Sequence, residues 1–178
     1  GLKPLLDETC IDFSNAFLHG LSEQGFRRYE VSNLEKRGGV SLHNLNYWKR
    51  GEYLGVGSGA ASFMGGKRWK NRPDVSAYIS NKGNAERVDE ESPGVSIIMT
   101  ELIMLQLRLA DGLNLELFEN LTGHRFHDFC GASLHNFIEQ GLLVEEANRV
   151  FATAGGFDVL DSIILQFVED TEKRLNAG

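Results

Sequence analysis

Residues 96–110, Ser-Ile-Ile-Met-Thr-Glu-Leu-Ile-Met-Leu-Gln-Leu-Arg-Leu-Ala, are apolar on most faces of the helix that their spacing predicts. A helix that is hydrophobic nearly all round has to be covered by other elements, so this run fixes the centre of a core. The residues after it supply the cover. Asn114 starts a second helix to Leu121, stopped at Gly123, and a third runs from about Asp128 to Gln140, stopped at Gly141. Leu142–Val144 and Arg149–Phe151 read as a small hairpin, and a last helix takes roughly 157–170. Three helices, a hairpin and a final helix match a winged-helix-like, mostly α-helical domain over residues 96–178.

Residues 82–95 collect Lys, Gly, Asn, Glu, Asp, Ser and Pro with few apolar side chains and read as a linker. Ahead of it, residues 1–81 are patterned as α/β. Residues 7–24 space Ile11, Phe13, Phe17 and Leu21 as an amphipathic helix with Gly25 as its stop, and residues 28–33 alternate like a strand. A Gly38-Gly39 turn, a short strand from Tyr53 to Val56, a basic loop over Lys67–Pro73 and a short helix capped by Asp74 follow. Helix, strand and strand again resemble the closing units of an α/β layer. Charge divides the same way: residues 1–84 hold twelve Lys/Arg against eight Asp/Glu, and residues 85–178 hold six against seventeen. The second half would therefore repel a polyanion, which argues against nucleic acid as a partner.

The chemistry-bearing residues concentrate at His43-Asn44-Leu45-Asn46-Tyr47-Trp48 and at Gly55-Val56-Gly57-Ser58-Gly59-Ala60. If the first segment is helical, His43 and Tyr47 share one face, and Asn44 and Trp48 share the next. A neutral imidazole there can ligate iron or zinc, with a ring beside it to stack on a planar group. Spacing alone favours a hydrogen-bonded structural histidine in an aromatic corner over a ligand. Gly55, Gly57 and Gly59 fit G-x-G-x-x-A, but Ala61–Gly66 make a poor helix, and a dinucleotide site needs a helix there. What remains is close backbone approach, by another segment of the chain or by a ligand. Lys67, Arg68, Lys70 and Arg72 around Trp69 are either anion ligands or a solvated loop. His124, His127 and His135 lack a familiar zinc-ligand spacing and read as surface or capping residues.

No apolar run approaches the ~20 residues that span a bilayer, and no signal segment opens the chain. Cys10 and Cys130 form neither a CxxC pair nor a disulfide framework, which suits a reducing, cytoplasmic setting.

Several motifs together resemble a known family. Tyr29-Glu30-Val31-Ser32-Asn33, His43-Asn44-x-x-Tyr47-Trp48 and Tyr53-Leu54-Gly55-Val56-Gly57-x-Gly59-Ala60 are similar to the HemW haem chaperones. These are radical-SAM proteins related to the oxygen-independent coproporphyrinogen III oxidase HemN. Glu101, Met104-Leu105-x-Leu107-Arg108-Leu109, Gly141-Leu142-Leu143 and Thr153-x-Gly155 resemble the C-terminal domain of the same family. The chain has Ala61 where the family carries histidine, and Ser58 where proline is common.

The resemblance implies the C-terminal part of a partial TIM-type radical-SAM barrel over residues 1–81, followed by the winged-helix-like domain. It makes His43 a haem-iron ligand, with Asn44, Tyr47, Trp48 and the three glycines facing the haem and Lys67 and Arg68 facing its propionates. It also implies a [4Fe–4S] cluster and S-adenosylmethionine in the whole protein. Their CxxxCxxC ligands do not occur in this sequence, which reads as a C-terminal fragment. The implied partners are haem or porphyrin and a haem-acceptor protein, with membrane contact only through that acceptor. The edge of a barrel cut through its sheet admits a homodimer. The rival readings are coproporphyrinogen III oxidation and a segment that only braces the barrel.

Overall fold

The computed structural model describes residues 7–177. Its first helix, α1 (Asp7–Glu23), leads into a two-stranded antiparallel hairpin of β1 (Phe26–Arg28) and β2 (Leu34–Lys36), with Phe26 opposite Lys36. The strand expected over 28–33 is thus displaced towards the N-terminus. Tyr29–Asn33 spend their backbone groups elsewhere: Val31 N–H donates to Arg108 O at 2.8 Å, and Ala110 N–H donates to Tyr29 O at 3.0 Å. The alternation in the sequence is real, but the partner is the turn after the core helix rather than a long ladder. Glu30 in this stretch is fully buried. Its Oε2 accepts from Ser32 N–H at 3.1 Å, and its Oε1 has no partner among the described residues.

Helix α2 (Leu42–Trp48) follows, and then a three-stranded antiparallel sheet in the order β3-β4-β5: β3 (Ala61–Met64), β4 (Lys67–Asn71) and β5 (Arg87–Glu91). Two expectations change here. The basic segment Lys67–Pro73 is mostly strand rather than loop, and residues 82–95 hold a paired strand rather than a free linker. Gly65 and Gly66, with φ of 59° and 72°, make the two-residue turn joining β3 to β4 that a left-handed pair produces. Tyr53 forms one isolated bridge to Phe63, so the strand expected from Tyr53 to Val56 shrinks to that contact. Helix α3 (Val75–Ser80) is capped by Asp74, whose Oδ1 accepts from Ala77 N–H at 2.8 Å, as the sequence predicts.

The apolar run becomes α4 (Val95–Gln106), with Met99, Leu102 and Ile103 fully buried. Around it lie β6 (Leu113–Asn114), α5 (Leu115–Thr122), α6 (Phe126–Glu139), β7 (Leu143–Glu146), β8 (Arg149–Ala152), α7 (Ala154–Asp158) and α8 (Leu160–Asn176). Strand order is β6-β8-β7, antiparallel throughout. Edge-to-face pairs Phe118–Phe126, Phe126–Phe167 and Phe137–Phe167, with centroids 5.2–5.5 Å apart, knit α5, α6 and α8 together. No helix among the described residues is long and apolar enough to cross a membrane.

Candidate functional site

Helix α2 begins where Ser41 Oγ accepts from Asn44 N–H at 3.3 Å. It ends where Arg50 turns left-handed (φ 57°) and Gly51 N–H donates to Asn46 O at 2.7 Å. Asn46 Nδ2 donates to Glu52 O at 2.9 Å and ties the exit of the helix to the next segment. The helical spacing puts His43 and Tyr47 on the outer side, with ring centroids 4.9 Å apart at 88°. Tyr53 continues the row, 4.8 Å from Tyr47. The three rings form one edge-to-face ridge, and Tyr53 is the member that sequence reading assigned to a strand. Asn44 and Trp48 lie half-buried on the neighbouring side, and the Trp48 indole N–H is covered without a partner among the described residues. His43 is exposed, and its ring nitrogens enter no hydrogen bond or ion pair among the described residues.

Behind the ridge lies a cavity of about 200 Å³ lined by Tyr47, Arg50, Tyr53, Phe63, Glu101 and Leu105, among others. Arg50 Nε donates to Glu101 Oε2 at 2.7 Å, and its guanidinium lies 4.7 Å from the centroid of the Phe63 ring. Glu101 Oε1 accepts from Arg68, which also donates to Glu91. Hydrogen bonding to Glu91, with further support from Glu101, holds the Arg68 guanidinium above its ordinary value, against the opposing effect of desolvation. This network links the end of α2 to β4, β5 and the core helix α4. Arg50 and Phe63 are the members that sequence reading missed. A lone arginine before Gly51 carries no sequence signal of its long-range partner.

The glycine segment is used by the chain itself. Gly55 N–H donates to Ser62 Oγ at 3.0 Å, and Asn71 Nδ2 reaches Gly55 O and Gly57 O at 3.3 and 2.8 Å. A Cβ on Gly55 would stand 2.1 Å from Ala61 O, so close approach by a neighbouring segment accounts for that glycine. Gly57 and Gly59 have positive φ in the same loop, and no helix follows them. The basic strand is likewise occupied: Lys67 pairs with Glu90, Arg68 with Glu91, Lys70 with Asp89 and Arg72 with Glu86. Trp69 is buried, with the Arg87 guanidinium 4.1 Å from its ring centroid. In the C-terminal domain His127 pairs with Glu145 at 2.9 Å and His135 with Glu139 at 3.3 Å.

Comparison with known proteins places this arrangement. Residues 98–159 match the HemN C-terminal domain family. The haem chaperone HemW of Lactococcus lactis is 33% identical over 150 residues, which cover 84% of this chain and 40% of that protein. Over most of its length the chain is thus similar to the HemW haem chaperones, and over residues 98–159 to the HemN C-terminal domain. HemW of Bacillus subtilis is 32% identical over 139 residues, 76% of this chain and 36% of the relative. The bovine mitochondrial radical S-adenosyl methionine domain-containing protein 1 is 33% identical over 172 residues, 83% and 36% of the two chains. Among solved structures, the Escherichia coli coproporphyrinogen III oxidase HemN, a radical-SAM enzyme, superposes with a TM-score of 0.63. It is 15% identical, with 88% of this chain and 40% of that one covered. At that identity the likeness shows the fold alone. The chain spans about two fifths of the length of the HemW relatives it matches.

The donors present do not fit a radical-SAM cluster. Cys10 is exposed and Cys130 is buried, both as free thiols, and burial pushes the Cys130 thiol up to about 12, so it stays protonated and is no thiolate ligand. Cys130 Sγ instead lies 3.5 Å from Phe167 O inside the core.

Proposed function

We propose that this chain is part of a HemW-like haem chaperone, in which residues 41–53 present haem to an acceptor protein. The observation that carries the reading is an exposed imidazole with both nitrogens unengaged among the described residues, standing edge-on to Tyr47 at the head of a row of three rings. The hydrogen-bonded structural histidine that spacing alone favours would have its nitrogens spent. A free imidazole nitrogen donates its lone pair to haem iron, and Tyr47 restricts the tilt of the His43 ring. Solvent exposure suits a cargo that must leave, because an acceptor can approach the iron from the open side. Tyr47 and Tyr53 would flank the macrocycle, with Trp48 bracing α2 from within.

In this reading α1 and β1 close a radical-SAM barrel, and α4 to β8 form a winged-helix-like domain packed against it. The order α4, β6, α5, α6, β7, β8 with a three-stranded antiparallel sheet supports the second description. The cluster and S-adenosylmethionine would be held by sequence other than the residues described. The oxidase reading rests on a likeness of fold, whereas the haem-chaperone reading rests on relatives about one-third identical and is preferred. Haemin titration into the protein and into His43→Ala tests it. The expected result is a Soret shift on binding that the variant loses, with affinity at least ~10-fold weaker, about 1.4 kcal/mol. An unchanged Soret band in the variant removes His43 from the iron.

A further inference from the structure

The cavity behind the aromatic ridge is built around an arginine with donors to spare. The Arg50 side chain is only 10% exposed, held by Glu101 on one edge and by the face of Phe63. A guanidinium carries five N–H donors, and only Nε is engaged, so Nη1 and Nη2 donate to no protein group among the described residues. Its backbone is left-handed, an uncommon state for a residue with a side chain and one kept only where the surroundings hold it. The rest of the lining is Tyr47, Gly51, Tyr53, Phe63 and Leu105, with Arg68 and Glu101 as its other charged members; Arg68 engages two carboxylates, Glu91 and Glu101, where Arg50 engages one. Neither tyrosine hydroxyl donates to a protein group among the described residues.

A volume of about 200 Å³ is below the ~300–1,000 Å³ of a pocket that encloses a whole organic ligand, yet it is ample for one short arm. We propose that this cavity is the subsite for a carboxylate-terminated alkyl arm of the bound molecule, received by the Nη edge of Arg50. The haem reading supplies only the owner of the arm, a porphyrin propionate; the carboxylate chemistry follows from the cavity. The assignment replaces Lys67 and Arg68, whose charges β5 and Glu101 already engage. Two guanidinium groups face two carboxylates in this network, so the bare arm binds weakly. It gains strength when the iron is anchored at His43, because the second contact is then intramolecular.

The test separates the arm from the haem. 3-Phenylpropanoate and 3-phenylpropanamide are titrated into the protein, with NMR shifts of Tyr47, Tyr53 and the Arg50 Nε–H as the readout. The expected result is saturable shifts with the propanoate and at least tenfold weaker binding of the amide. A loss of at least fivefold is expected in Arg50→Lys, which keeps the charge and loses the fork. Leu105→Phe, which fills the cavity without touching the ion pairs, gives the same loss, so a folding defect at Arg50 does not decide the matter. Equal binding of acid and amide, or no shift of these resonances, overturns the subsite whatever haemin does. Haemin and its dimethyl ester complete the comparison. A His43-dependent Soret band with equal affinities for the two removes the subsite and leaves the haem reading. Acid-selective arm binding with an unchanged Soret band in His43→Ala removes the haem reading and leaves the subsite.

Discussion

At the scale of single residues, glycine and histidine behaved differently as signals. Gly55 pointed to a close backbone approach, and the sequence could not say whether by a ligand or by the chain. Ala61 O, 2.1 Å from where a Cβ would stand, answers that the chain itself approaches. Gly55→Ala is therefore expected to destabilise the ligand-free protein by about 1–3 kcal/mol, the usual scale of overpacking, seen as a lower Tm before any haem is added. A variant with unchanged Tm and weakened haemin binding would return the glycine to the ligand. His43 was legible as a type and a position but not as a state. Whether an imidazole is satisfied depends on neighbours far away in sequence, and only the structure could display its unengaged nitrogens. Arg50 was illegible for the same reason, since Glu101 lies 51 positions on.

Among the elements, helices were read well and strands poorly. Asp74 and Asn114 as caps, Gly123 as a stop and the apolar run of α4 all express local rules, and the structure reproduces them within a few residues. Strand β5 obeys no such rule. It has no buried residue, so it lacks the apolar alternation that marks a strand, and it is held by its ladder and by carboxylates facing the cations of β4. Neither charged segment reads as a strand by itself; the complementarity between them does. One consequence bears on the site. Lys67 is exposed and already paired with Glu90, and pairs of this kind contribute little and are screened by salt. Lys67→Ala is expected to leave haemin affinity within about twofold, measured at two ionic strengths. A tenfold loss that salt reproduces would restore the basic strand as an anion contact.

Across the whole molecule the core is unevenly shared. Seventeen buried residues from Met99 to Phe167 form one cluster, while Phe63 and Trp69 are the buried hydrophobic side chains of the described residues before α4. Helix α1 carries Phe13 and Phe17 about two-thirds exposed, and α2 buries no residue. Burial of apolar area is the main favourable contribution to folding, so the C-terminal domain should hold most of the stability and the segment before α4 little. That segment is tied down by polar links: Arg50 and Arg68 to Glu101, Val31 to Arg108, and Ala110 to Tyr29. A segment of low local stability fastened at a few points to a well-packed domain would suit the proposed cargo role, because it could open without unfolding the core. Native-state hydrogen exchange reads this directly. Amides in the middle of α4 and α8 are expected to be protected at least ~100-fold more than those of α2, a gap of about 3 kcal/mol. Glu101→Gln, which weakens the fastening of Arg50 without removing apolar area, should lower protection in α2 and leave α8 unchanged. Uniform protection across α2, α4 and α8, or an equal loss in all three on substitution, would mean that the chain opens as a single unit and that Glu101 does not set the stability of α2 separately.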